Sequence, residues 1–235
     1  DPYFGRLLKN TFLISGLTIL FGFPAPIILA LMINEVKNSA FKRTVQTITY
    51  MPYFISMVVL CGLLKTFCMQ DGLFAQIAVL FGGKAQNYLA NPAYFRTIYV
   101  LSDIWSGIGW NSIIYLAALS SIDQEQYEAA RVDGANRFQR IIHVDLPAIV
   151  PTIITMLIFN CASIMNIGFD KVYLMQNDMN IDRAEVISTF VYKVGLTGGD
   201  FSFSTAAGLF QSLVSFILLV IVNKICKTVT ETSLW

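Results

Sequence analysis

The stretch EAARVDGANRFQRIIHVDLP, from Glu128 to Pro147, sets Glu128, Arg131, Asp133, Arg137, Arg140 and Asp145 beside His143, the only histidine in the chain. So dense a charge block first raises the question of acid–base or nucleophilic chemistry. His143 has no Ser or Cys partner, so it reads as a helix-surface histidine rather than a catalytic base. Cys61, Cys68, Cys161 and Cys226 form no C-x-x-C pair and show no metal spacing, and they read as small apolar packing residues. The Gly82-Gly83-Lys84 triplet suggests a phosphate loop, but Ala78 stands where the first glycine belongs and Ala85 replaces the Ser or Thr. No catalytic, nucleotide or metal site is assigned to the chain, and any driven process must draw its energy from elsewhere.

The elements around the block explain it. The chain is 55% hydrophobic and 13% charged, with a mean hydropathy of +0.62; soluble domains carry about a quarter charged residues. Uncharged runs extend from Asn10 to Asn34, Thr44 to Leu64, Ile104 to Ile122, Leu146 to Phe169 and Phe201 to Asn223. Each approaches or exceeds the roughly 20 residues a helix needs to cross a bilayer core. Helices are expected because they satisfy their own backbone in lipid. The predicted spans are residues 11–33, 46–66, 97–120, 147–168 and 204–225, in a single membrane domain over 1–235. Pro24 and Pro26 predict a kink in the first. Residues 72–83 are apolar but too short to cross, and predict an interfacial helix. Residues 170–200 read as a polar loop. The chain starts at Asp1 without Met or signal peptide, as if cut at the front. A net charge of +1 implies neither nucleic acid nor an acidic substrate. The 16 Lys and Arg divide evenly between the two sets of loops, and the set containing the block is the more compact, which favours it as cytoplasmic.

Within the loop (about 121–147), Asp123 and Gln126 have the form of a helix start. Residues 124–132 are good helix formers, and Asp133-Gly134 signals a turn. Asn136 is placed to cap a second short helix, with Phe138, Ile141, Ile142 and Leu146 as an apolar stripe against the spans. Pro147 suits the first turn of the next span. Ala129 and Ala130 leave a small, close-approach surface beside Glu128 and Arg131. On these grounds the first helix is either a solvated connector or a knob that docks in a partner.

These residues are familiar together. Glu128-Ala129-Ala130, Asp133-Gly134-Ala135, Ile142 and Leu146-Pro147 resemble the EAA loop of ABC importer permeases, which reads E-A-A, then a glycine, then I-x-L-P, with Val144 here at the isoleucine position. "LLKNTFLIS", "FGFPAPIILALMINEVK", "SDIWSGIGWNSIIYLAALSSID" and "TETSLW" resemble the carbohydrate-uptake permeases of the maltose type, within them the subgroup linked to oligosaccharide and polysaccharide uptake. The resemblance implies an all-α helical bundle of the importer permease type with six core spans; five are visible, so a sixth is expected before Asp1. It places the EAA loop in the cytoplasm of a bacterial cell. Glu128, Ala129, Ala130, Asp133, Gly134, Leu146 and Pro147 would then couple to a separate cytoplasmic ATPase dimer that binds ATP-Mg. Glu128 would pair with a basic residue of the ATPase, the alanines would form the docking surface and Gly134 the turn. A second, usually different, permease and an extracytoplasmic binding protein that delivers the sugar complete the implied system, which works by alternating access.

A sugar path needs aromatic faces with hydroxyl and amide groups. At 100° per residue, Trp105, Ser112 and Tyr115 share one side of the third span, Phe159, Ser163 and Asn166 one side of the fourth, and Gly208, Gln211 and Ser215 one side of the fifth. Such residues either face a pathway or glue helices together. The alternatives are a permease for a non-sugar solute and an ATPase-independent secondary transporter. The latter should bury ionisable residues deep in its spans, and only Asp103 comes close.

Overall fold

The computed structural model describes residues 2–230, with side chains for 3–228. The last five residues of "TETSLW" lie outside the described residues. Every regular element among the described residues is helical.

Helix α1 (Pro2–Leu17) runs through a π-helical turn (Thr18–Gly22) into α2 (Pro24–Asn34). Pro24 lacks an N–H and its ring crowds the turn before it, so the helix widens there. Asn38 starts α3 (Ser39–Tyr50) by accepting the N–H groups of Ala40 and Phe41 at 3.0 and 3.1 Å. The second span is not continuous over 46–66. Pro52 removes a helical donor, and the chain passes through a 3-10 turn (Met51–Phe54) before α4 (Met57–Cys68) restarts on the Ser56 hydroxyl. The short helix expected over 72–83 is α5 (Leu73–Leu80). Then α6 (Pro92–Ser120) opens with Pro92 at its first position and Asn91 capping Ala93 N–H at 3.0 Å; at 1.5 Å per residue it is about 44 Å long.

The charged block folds as α7 (Gln124–Val132), α8 (Arg137–Arg140) and a second π-helical turn (Ile141–Asp145), which leads into α9 (Leu146–Ala162). Residues 170–200, expected as a polar loop, are largely helical instead: α10 (Phe169–Met175), α11 (Ile181–Ala184), α12 (Ile187–Tyr192) and a π-helical turn (Lys193–Thr197). Lys171, Asn180, Glu185 and Thr189 find hydrogen-bond or ion-pair partners within the protein, while Val172, Met175, Ala184, Val186 and Ile187 are buried. The last helix is α13 (Phe201–Thr230). Four helical stretches among the described residues are long and apolar enough to cross a membrane: Tyr3–Asn34, Met57–Leu80, Arg137–Ala162 and Phe201–Thr228. Leu209, Leu213, Phe216 and Ile225 of α13 are exposed, as suits a helix surrounded by hydrocarbon.

Packing divides the chain into two units. The first comprises Asp1–Thr18, Ile55–Ser102 and Ala162–Ile217. Its apolar cluster is Leu7, Met165 and Ile187. Its polar hub is Glu185, 2% exposed, which takes Lys193 Nζ at 2.9 Å, Arg6 Nη2 at 3.8 Å and the Tyr3 hydroxyl. Asn10 donates to the carbonyls of Asp182 and Glu185 and accepts from Arg96 at 2.8 Å. Buried Lys171 donates to the Tyr99 carbonyl at 3.0 Å and lies over the Tyr99 ring.

The second unit comprises Ile19–Phe54, Asp103–Cys161 and Leu218–Trp235. Its core packs Ile27, Ala30 and Ile33 of α2 against Tyr115, Leu116 and Leu119 of α6 and Ile149 of α9. A smaller cluster joins Ile154 and Ile158 to Cys226 of α13. Gly109 sets the approach of α6 to α3, since a Cβ there would lie 2.1 Å from the Thr49 carbonyl oxygen.

Candidate functional site

Helix α7 is built by its caps. The Asp123 carboxylate accepts the Glu125 N–H at 3.1 Å. Glu125 in the first turn and Arg131 in the last suit the helix dipole. At the other end Gly134 has φ +77. Ala135 N–H reaches Ala130 C=O at 2.9 Å and Gly134 N–H reaches Arg131 C=O at 3.0 Å. This pair of bonds is a Schellman close, which needs a left-handed residue at position 134. Asn136 and Gln139 then form a reciprocal capping box at 2.9 and 2.8 Å. The helix, turn and second helix expected over 123–140 are therefore present, with a reciprocal side-chain pair at Asn136–Gln139 and a single cap from Asp123, without Gln126, at the first helix.

Glu128 and Ala129 are exposed, as are Asp133, Leu146 and Pro147, while Ala130 is half-buried. The apolar stripe does not cover the spans as expected. Phe138 is 70% exposed, Ile142 and Leu146 are partly exposed, and Val132 on α7 is 87% exposed. Because α8 ends after one turn and the helix widens at 141–145, the register that would align these side chains is lost. His143 is exposed and donates Nδ1–H to the Gln139 carbonyl at 2.9 Å.

Two polar contacts tie the block to the spans of its unit. Arg140 Nη2 meets both Glu35 carboxylate oxygens, at 3.3 and 3.4 Å, just beyond α2. The Tyr127 hydroxyl donates to Asp145 Oδ1 at 2.5 Å, and Asp145 is fully buried. Burial first, and the Asp145 bond second, push that phenol up to about 12. Neither contact was foreseen; a tyrosine before E-A-A and an aspartate before L-P carry no sequence signal of pairing.

The residues chosen for a sugar path separate by environment. Ser112 and Tyr115 are buried, the first bonded to the Gly109 carbonyl at 2.6 Å and the second inside the α2–α6–α9 core. Trp105 and Phe159 are about half exposed, at 51% and 49%. Ser163 and Asn166 are exposed, but on a turn rather than a helix face, because α9 stops at Ala162. The freed carbonyls there have partners from afar within the first unit: Ser15 Oγ donates to Ile164 C=O at 2.5 Å and Gln211 Nε2 to Met165 C=O at 3.3 Å. Gln211 is thus held on backbone, and Ser215 is half-buried. Gly208 has open space around it.

An aromatic group escaped the sequence reading. The Tyr53 and Trp110 rings stack at 4.5 Å and 3°, with the Phe54 ring edge-on to Trp110 at 5.8 Å. All three are more than 40% exposed. The pair of aromatics directly after Pro52 was the available clue.

Comparison with known proteins agrees with this architecture. Residues 22–229 match the family model of the binding-protein-dependent transport system inner membrane component. The whole chain aligns at 43% identity with protein LplB of Bacillus subtilis, covering 74% of it. It aligns at 42%, again covering 74%, with the polygalacturonan/rhamnogalacturonan transport system permease YteP of the same organism. A solved structure of a bacterial alginate ABC transporter, in complex with its alginate pentasaccharide-bound periplasmic protein, superposes with a TM-score of 0.96 at 41% identity, over the full chain and 82% of that one. A methionine transporter in inward-facing form shares the fold, with a TM-score of 0.63 at 16% identity over 96% of the chain and 93% of that one. The chain belongs to the binding-protein-dependent transport system inner membrane components, and is a multi-pass permease subunit of an ABC importer in the cytoplasmic membrane, not itself an enzyme.

Proposed function

We propose that the chain forms part of the path by which an oligosaccharide, handed over by an extracytoplasmic binding protein, enters the cell, and that α7 couples this path to a cytoplasmic ATPase dimer. The observation that carries the coupling is α7 itself: both ends are capped and Glu128 and Ala129 are fully presented. Val132 and Phe138, exposed on the same block, supply apolar surface for a partner to cover. ATP-Mg would bind that partner, and a second permease would complete the membrane pair.

An oligosaccharide is supported by relatives above 40% identity whose names specify polygalacturonan, rhamnogalacturonan and alginate. The exposed Tyr53–Trp110 stack and Trp105 offer aromatic faces of the kind a sugar ring covers, and Ser163 and Asn166 offer polar groups on unwound backbone. A non-sugar solute is the second reading, since sn-glycerol-3-phosphate permeases are 28% identical over 94% of the chain. Co-purification of the ATPase with the Glu128→Ala permease, together with uptake of radiolabelled oligogalacturonate by reconstituted transporter, tests the proposal. Association and uptake should both be lost. Wild-type levels of both in the variant would refute the docking role.

A further inference from the structure

Docking alone does not move a span. Residues 124–132 are exposed except at Tyr127 and Ala130. Toward α9 the chain leaves α7 through Gly134, whose left-handed backbone is a natural place to absorb a displacement. A push delivered to Glu128 and Ala129 would dissipate there unless a second connection bypassed the glycine.

The Tyr127 side chain is such a connection. Its hydroxyl reaches Asp145, the residue directly before α9, at 2.5 Å. The carboxylate is fully buried, so water cannot substitute for the phenol, and the bond is short and charge-assisted. Asp145 Oδ2 has no hydrogen-bond partner, which leaves Oδ1 as the atom that holds this carboxylate. Asp145 also ends a π-helical turn, a local widening that lets the start of α9 shift without breaking the helix.

We propose that Tyr127 is a positioning residue for transport: through Asp145 it makes α7 a rigid lever on α9, so that ATPase closure is converted into movement of that span. This rests on the docking reading above, and asks in addition how the stroke is passed on. Tyr127→Phe removes one oxygen and keeps the ring, so it should fold and still carry the ATPase. Asp145→Asn keeps the acceptor oxygen without the charge, whereas Asp145→Ala removes it.

The test uses the whole reconstituted transporter, with the four native cysteines replaced by alanine and a reporter cysteine at Asn160. That position is exposed near the far end of α9, about 21 Å along the helix from its start. Labelling by a membrane-impermeant maleimide is measured with and without ATP, beside ATP hydrolysis and ATPase co-purification. ATP should change the labelling rate several-fold in the parent and in Asp145→Asn. In Tyr127→Phe and Asp145→Ala the change should shrink to under about 1.5-fold while the ATPase stays bound and continues to hydrolyse. A full ATP response in Tyr127→Phe overturns the lever, as does a parent that shows none. Loss of ATPase binding in Tyr127→Phe also overturns it, because the residue would then belong to the docking surface. Glu128→Ala distinguishes the two levels: if the ATPase still binds that variant, the docking reading itself fails.

Discussion

Replacing Glu185 with glutamine should loosen one local region and leave the rest intact. The carboxylate is 2% exposed and receives Lys193 Nζ at 2.9 Å, Arg6 Nη2 at 3.8 Å and the Tyr3 hydroxyl. Glutamine preserves the shape and one acceptor oxygen but puts a donor where a second acceptor stood. Lys193 and Arg6 are each about one-third exposed (34%) and turn to water once the charge is gone, so the full penalty of a stranded buried cation does not apply. What is lost is one charge-assisted bond, worth about 2 kcal/mol. The Asn10 bonds to the Asp182 and Glu185 carbonyls remain and keep the segment in place. Opening of α11 and the start of α12 should therefore become about 30-fold more frequent. Hydrogen exchange with mass spectrometry on detergent-solubilised protein reads this directly: peptides over 181–190 should exchange faster by that factor, while peptides over α9 should not change. Exchange over 181–190 within about threefold of wild type would refute the hub as the element holding this region.

Gly109→Ala should destabilise the α3–α6 contact by about 2 kcal/mol or more, since the new methyl meets Thr49 backbone rather than a movable side chain; a melting temperature unchanged from wild type would contradict the packing. Gly134→Ala should cost about 1 kcal/mol at its φ of +77 and, by fraying the end of α7, should weaken ATPase co-purification more than it lowers the melting temperature. Val132→Asp with Phe138→Asp should shift the melting of the isolated subunit little, because both side chains are exposed, yet should reduce ATPase binding at least tenfold, measured by pull-down. The Tyr127 phenol is raised to about 12 from an ordinary 10, so the folded state holds its proton more tightly than the unfolded state does. Its stabilisation is fully present below pH 10 and is lost as pH rises through 12. Wild type and Tyr127→Phe should show parallel stability profiles up to pH 10 and converge above it.

What could be read from the sequence was whatever local chemistry decides. Asp123, Gly134 and Asn136 act within three or four residues of themselves, and their caps fell where the residue types placed them. The bulge before Pro24 and the break after Pro52 have equally local causes, although the sequence suggested a kink at the first and no interruption at the second. Long-range partners were not legible. The end of α9 at Ala162 is marked by no proline or glycine until Gly168; it is stabilised by Ser15 and Gln211, far away in the chain. The path residues were chosen on straight helices, so Ser112 and Tyr115 turned out buried and Ser163 and Asn166 off the helix altogether. The helical build of 170–200 rests on a buried Glu185 and Lys171, whose charges suggested solvent.

The central claim is that this permease transports only when α7 holds a hydrolysing ATPase. Proteoliposomes containing the permeases, the ATPase and the binding protein give the most direct measurement, as oligogalacturonate accumulated per ATP hydrolysed. Accumulation should require ATP and the binding protein and should vanish in Glu128→Ala. Accumulation driven by a proton or sodium gradient, with the ATPase left out, would contradict the account.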